Sequence, residues 1–396
     1  MSHMQVFLTF VLIIFMTKLA GHICVRLGQP SVLGKLLAGI ILGPALLNWV
    51  QPSSFIETIA QIGVILLMFI AGVETDLQQM KENWKAAFAV AIGGVILPLI
   101  GGYGLGLAFN FTQGQAIFLG LLFCATSVSI SVQTLKELNK LNSSEGTTIL
   151  GAAVVDDVVV VILLAFVMSF LGAGGDVSLP LIVGKKVIFF VVIIAACIWL
   201  VPLLMKWFAR FKVTEVVLSM AIIIAFGFSY FAEWLGVAGI IGAFAAGLAI
   251  GQTPYKDEVE HKVEPLAYTL FVPVFFVSIG LNISFEGLGN HIWFIVILTV
   301  VAILSKLIGG GLGAKLTGFN LNSSAIIGSG MISRGEVALI IATTGLSSGL
   351  LLQEYFTPVI LVVILTTLVT PPLLKLTIKR ESKIEHKVTE QINAHM

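Results

Sequence analysis

Charge is what this chain has little of. Only 11% of its 396 residues are Asp, Glu, Lys or Arg, while 58% are hydrophobic. A soluble domain carries about 25% charged residues. A sizeable soluble domain is therefore excluded, and with it a basic nucleic-acid-binding surface. The formal net charge of +1 provides no strong field to steer a charged macromolecule. Cysteine is scarce as well. Cys24, Cys124 and Cys197 lie far apart, so neither a disulfide framework nor a metal-ligand spacing is readable. Each suits a small hydrophobe in helix packing. No basic stretch precedes the first apolar run, which reads as a retained helix and not a cleaved signal. No phosphate-binding glycine loop followed by Lys-Ser/Thr is present. Gly101-Gly102-Tyr103-Gly104-Leu105-Gly106 lies within an apolar run and reads as packing. No cofactor is implied.

What the chain has is apolar runs. Thirteen segments stand out: residues 5–25, 33–50, 56–73, 84–109, 115–135, 147–171, 181–208, 213–235, 237–251, 263–281, 291–316, 324–346 and 354–378. About 20 helical residues cross the roughly 30 Å hydrocarbon layer of a bilayer. The chain reads as an all-α polytopic membrane protein of about thirteen transmembrane helices, followed by a short polar tail, residues 379–396. The connections are short and their charges alternate. Arg26, Lys81, Lys85, Lys136, Lys140, Lys206, Arg210, Lys212, Lys256, Lys262, Lys315 and the basic residues of the tail share one side. Only Lys185 and Lys186 fall on the other. The positive-inside rule places the N-terminus outside and the C-terminus in the cytoplasm.

The chain also repeats itself weakly. Residues 32–44 resemble 240–251, and 68–74 resemble 275–281. These pair the second segment with the ninth and the third with the tenth. An offset of seven crossings reverses direction, so segments two to six and nine to thirteen form inverted repeats. Inverted repeats are a recurring plan of secondary transporters, whose sites lie between the repeats near mid-membrane. The fifth segment contains Cys124-Ala125-Thr126-Ser127-Val128-Ser129-Ile130-Ser131. Its partner, the twelfth, contains Gly328-Ser329-Gly330-Met331-Ile332-Ser333-Arg334-Gly335-Glu336. Both have weak helical character in mid-segment. They are expected to break and cross, exposing hydroxyls and carbonyls suited to a hard cation.

The sixth segment carries the costliest feature, Asp156-Asp157, in mid-run. A carboxylate at that depth costs at least about 2.5 kcal/mol. Neighbouring helix positions point about 100° apart, so the two face different surroundings. A carboxylate can hold a proton or, when ionised, offer hard oxygens to a small cation. The expectation is cation and proton binding in alternation, with sodium at Asp157 and Asp156. Lys306, central in the eleventh segment, is the natural partner of one of them, because a buried lysine is expensive unless paired. Thr126 and Ser127 are expected at the ion site, with Ser129 and Ser333 in support. Arg334 and Glu336 read as another internal pair, for which structural and transport roles are equally open.

At these residues the chain resembles bacterial sodium/proton antiporters of the cation:proton antiporter-2 family, the NapA type. The stretches that carry the resemblance are residues 66–76, Ala125-Thr126-Ser127-Val128, Val155-Asp156-Asp157 and Ser305-Lys306. It implies an NhaA/NapA-like fold and a homodimer in the bacterial inner membrane. Core helices would be about 84–171 and 291–378, dimerisation helices about 5–73 and 213–281, and the linking helix about 181–208. It also implies that Asp157 is the main ion-binding carboxylate, that Asp156 and Lys306 form a salt-bridged pair, and that Thr126 marks the crossing. Two-aspartate members are generally electrogenic. Potassium-efflux relatives typically have Gln-Asp at the pair and a nucleotide-binding domain. This chain has Asp-Asp, and no such domain is expected in it.

The expected function is thus sodium (or lithium)/proton antiport, with monovalent cations, protons and the lipid bilayer as its partners. Potassium/proton exchange or potassium efflux on the same fold is the alternative. An intramembrane aspartyl protease is remote, since two carboxylates adjacent on one helix do not readily converge on a shared proton. No enzyme activity is expected.

Overall fold

The apolar runs fold as helices. The structure, a computed structural model, describes residues 3–171, 179–283 and 291–395, and among them there are helices and no strands. Among the described residues, nine helices are long and apolar enough to cross a bilayer, and four apolar helices are shorter. The chain is an all-helical, multi-pass membrane protein.

The chain divides into two compact units, one formed by Met1–Ile23, Gly34–Met80 and Asp157–Phe285, the other by Cys24–Leu33, Lys81–Asp156 and Glu286–Met396. The boundary inside the sixth apolar segment falls between the two aspartates.

The first unit contains α1 (His3–Arg26) up to Ile23, most of α2 (Ser31–Leu42), and α3 (Ser54–Glu74). It continues with the second half of α8 (Ser144–Phe170), α9 (Leu179–Ala195), α10 (Val201–Phe208), α11 (Val216–Trp234), α12 (Gly239–Gly251), α13 (Lys256–Leu266) and α14 (Val272–Leu281). Its centre is α3, where every residue from Gly63 to Val73 is buried. Helices α12 and α14 pack against it. Two of the crossings are not uniform α-helix. A π-helical turn, Ala196–Leu200, precedes Pro202, and another, Ala267–Phe271, precedes Pro273. A proline inside a helix lacks an N–H and collides with the carbonyl four residues back, and a widened turn relieves both. Lys186, half of the pair that broke the charge pattern, is 4% exposed. Its ammonium lies beside Gly236, just past the end of α11, where terminal carbonyls favour a cation.

The second unit contains α5 (Trp84–Ala108), α6 (Gln113–Leu122), α7 (Val128–Glu137) and the first half of α8. After the first unit's segments come α15 (Ile292–Leu316), α16 (Leu321–Gly330), α17 (Glu336–Ser347) and α18 (Gln353–His395). The short α4 (Leu77–Glu82) precedes α5. Helices α5 and α15 pack closely at Gly93 and Gly309, where a methyl group on either would run into the other's backbone carbonyl. Small residues permit this approach between membrane helices. Glu137, at the end of α7, accepts hydrogen bonds from the Ser31 amide at 2.6 Å and from the Ser31 hydroxyl. It thereby caps free amides at the start of α2. The stretch expected as a polar tail continues α18 as helix through His395.

Candidate functional site

Two interrupted helices build the site. Helix α6 starts with a reciprocal cap between Thr112 and Gln115 and ends at Phe123. Residues 124–127 leave the helical path, Ser127 is extended (φ −95°, ψ 105°), and α7 follows. Helix α16 starts under an Asn320 cap, whose side chain accepts from the Ser323 amide at 2.8 Å, and ends at Met331. Residues 332–335 leave the helical path, and α17 follows Gly335. The serines, threonine and glycine in these stretches hold helix weakly. The backbone groups they free must find partners, because the hydrocarbon of a bilayer offers none.

The two breaks supply partners to each other. The Ser127 amide donates to the Ser333 carbonyl at 2.7 Å, and the Ser333 hydroxyl donates to the Ser127 carbonyl at 2.7 Å. The Ser131 hydroxyl donates to the Gly330 carbonyl, at the end of α16. Gly335 sits directly against the Ser127 side chain, and a methyl group there would collide with it.

Arg334 extends this bracing. It is fully buried. Its guanidinium donates to the carbonyls of Ile332 (2.7 Å), Phe123 (3.0 Å) and Ala302 (2.9 Å), and it lies 5.3 Å from the centroid of the Phe123 ring. The planar fork of an arginine suits several acceptors at once. It joins the end of α6, the second break and α15, one turn before Lys306. From α18, the Thr367 hydroxyl donates to the Arg334 carbonyl at 2.5 Å. The side chain of Glu336, expected as the partner of Arg334, lies outside the described residues.

Asp156, Lys306 and Thr126 converge. Asp156 and Lys306 are both fully buried, and Lys306 Nζ lies 3.1 Å from Asp156 Oδ2. The Thr126 hydroxyl donates to the same oxygen at 2.5 Å. Lys306 Nζ also runs beside Gly94 of α5. Asp156 Oδ1 is buried and makes no hydrogen bond among the described residues. A buried carboxylate oxygen without a donor is costly, and it is the hard ligand a small monovalent cation takes. Asp157, next in α8, is 4% exposed.

The hydroxyls of the breaks divide their work. Thr126 reaches a carboxylate, whereas Ser333 and Ser131 serve backbone carbonyls, and Ser127 takes part through its backbone. Ser129 is buried in the first turn of α7. Sequence reasoning did not single out Phe123, Ala302 or Thr367. The first two act through backbone carbonyls, which every residue possesses. Thr367 had one available signal, the Thr366-Thr367-Thr370 cluster in an otherwise apolar helix.

A buried lysine–carboxylate pair thus lies beside two helix breaks that hydrogen-bond to each other within an all-helical membrane chain, and comparison with known proteins shows its family. The family described as sodium/hydrogen exchanger, transmembrane, matches residues 11–380. The chain is 60% identical over 379 residues to the Na(+)/H(+)-K(+) antiporter GerN of Bacillus cereus, covering 96% of this chain and 98% of that one. It is 45% identical over 366 residues to the Na(+)/H(+) antiporter of Enterococcus hirae, covering 92% and 96%. Its fold resembles that of the sodium proton antiporter MjNhaP1 from Methanocaldococcus jannaschii, with a TM-score of 0.69 at 18% identity over 94% of this chain and 96% of that one. The chain belongs to the transmembrane sodium/hydrogen exchanger family: it is a bacterial monovalent cation:proton antiporter and not an enzyme.

Proposed function

We propose that the chain exchanges sodium, or lithium, for protons by alternating access, with sodium and protons competing for Asp157. The observation that carries this reading is the Asp156 carboxylate. One oxygen is shared between Lys306 at 3.1 Å and Thr126 at 2.5 Å, and the other is buried without a donor, one residue before a second buried carboxylate. A sodium ion entering beside Asp157 would take an Asp156 oxygen and release Lys306, and the pair would re-form when the ion leaves. Two carboxylates and an amine allow more than one proton to move per sodium, so the exchange is electrogenic.

Around this site we assign thirteen crossings, with segments two to six and nine to thirteen as inverted repeats. The equal lengths of α6 and α16, 10 residues each, support the repeat. Helices about 84–171 and 291–378 form the ion-carrying core, those about 5–73 and 213–281 the dimerisation part of a homodimer, and the helix about 181–208 the link. The N-terminus lies outside and the C-terminus in the cytoplasm of the bacterial inner membrane.

Reconstitution in liposomes tests the reading. Asp157→Asn abolishes sodium-driven proton movement, and exchange at the normal rate in that variant would sink it. In the parent protein, lowering the pH raises the sodium concentration needed for half-maximal rate without lowering the maximal rate, as competition for one carboxylate requires. Potassium/proton exchange is the second reading, favoured by the name of the GerN relative, which pairs sodium with potassium. A panel of lithium, sodium and potassium separates the two. The sodium reading expects potassium to drive much slower exchange, and equal rates would replace it.

A further inference from the structure

The close approach of α5 and α15 leaves a groove along their outer face, with a volume of about 590 Å³. That is within the roughly 300–1,000 Å³ range of sites that hold small molecules. Its floor is made by Gly93, Gly309 and Gly313, and its walls by large apolar side chains, among them Phe88, Ile96 and Leu312, each about half exposed. From Trp84 to Ile96 the groove follows twelve helical rises of α5, about 18 Å. One leaflet of a bilayer is about 15 Å of hydrocarbon. The groove is therefore as long as one leaflet is deep.

Its two ends differ in chemistry. The floor and walls are apolar, whereas Trp84 and Lys85 close one end, with Lys85 Nζ 5.9 Å from the Trp84 ring centroid. Leu316 lines the same end, and the exposed Lys315 precedes it. Exposed Lys81 and Glu82 end α4, just before Asn83, the N-cap position of α5. Glu145 adds a second carboxylate, since the hydroxyl of the preceding Ser144 donates to Asn83 beside Trp84, and three lysines against two glutamates leave this end positive. A tryptophan and a lysine together are the side chains that membrane helices place at headgroup level.

We propose that this groove is a binding site for an anionic glycerophospholipid, with one acyl chain lying along Gly93, Gly309 and Gly313 and the phosphate at Lys85. The seat is on the helix pair that carries Lys306, since Gly93 adjoins Gly94 and Gly309 lies one turn beyond Lys306.

Trp84 is the reporter. The full-length protein in detergent is titrated with brominated phosphatidylglycerol and, separately, with brominated phosphatidylcholine. Quenching at Trp84 is taken as the difference between the parent protein and Trp84→Phe. An attraction of ordinary size for one surface lysine predicts half-maximal quenching at about one-fifth the concentration for the anionic lipid. Lys85→Gln removes that preference and leaves quenching by phosphatidylcholine unchanged. Ala89→Leu, which fills the groove, removes quenching by both lipids. Raising the salt concentration suppresses the preference in the unaltered protein, a measurement that needs no variant to fold. Equal quenching by both lipids at low salt would show ordinary boundary lipid and overturn the proposal, as would a preference that survives both high salt and Lys85→Gln.

Discussion

The two helix breaks match in backbone and differ in chemistry. Each follows a helix of 10 residues, and each returns to helix five residues after its cap, at Val128 and at Glu336. Counted from the cap residues Phe123 and Met331, Ser127 corresponds to Gly335, and these two lie against each other. One step earlier, the same position is Thr126 in one break and Arg334 in the other. Thr126 gives a neutral hydroxyl to Asp156, while Arg334 gives a guanidinium to three backbone carbonyls. One break thus supplies a single hydroxyl contact and the other a fixed charge. A hydroxyl can exchange one partner for another, but the arginine cannot leave without stranding the Phe123 and Ile332 carbonyls, which lie outside any helix.

Substitutions at the matched positions should separate these roles. Arg334→Ala has the largest expected effect. Each buried carbonyl left without a donor costs about 1–3 kcal/mol, so the variant loses several degrees or more of thermal stability together with transport. Arg334→Lys keeps the charge but cannot reproduce the fork, and should recover part of the stability. A thermal melt of the purified protein in detergent reads both. If Arg334→Ala melted like the parent, the bracing role would be wrong.

Thr126→Val comes next. It keeps the shape and removes one donor to a charged group, worth about 1.5–3 kcal/mol. Sodium-driven exchange is expected to fall roughly tenfold or more, with only a small change in melting, whereas Thr126→Ser stays close to the parent. Equal damage from Val and Ser would mean that packing matters there and not the hydroxyl. The smallest effect is expected at Ser333→Ala, which removes one neutral bond to the Ser127 carbonyl and keeps the amide-to-carbonyl bond beside it. A loss of about 1 kcal/mol in stability with transport retained is the outcome to look for.

Much of this was legible in the sequence because the membrane makes polarity conspicuous. Asp156, Asp157 and Lys306 stood out as charges in apolar runs, and the serine- and glycine-rich stretches marked both breaks. What stayed hidden was who meets whom. Nothing in the sequence singled out Glu137, whose cap on Ser31 spans 106 positions of chain. The targets of Arg334 are carbonyls, which carry no signature of residue type. The side chain of Glu336, the expected partner, lies outside the described residues, and three peptide oxygens accept from the guanidinium. The stretch after residue 378 read as a tail because its apolar pattern ends there, yet α18 continues through it. Leaving the hydrocarbon removes the apolar signal but does not remove helical propensity.

The reciprocal pair of Ser127 and Ser333 also limits how a chain of this design can vary in length. Loops between crossings can gain or lose residues without disturbing a partner. A single residue inserted within α6 or α16, however, would rotate the following break by about 100° and advance it by about 1.5 Å. The amide now facing the Ser333 carbonyl would be replaced by its neighbour, and Thr126 would turn away from Asp156. The stretch from each helix cap to the crossing therefore behaves as a measured length, set by its counterpart in the other half of the chain.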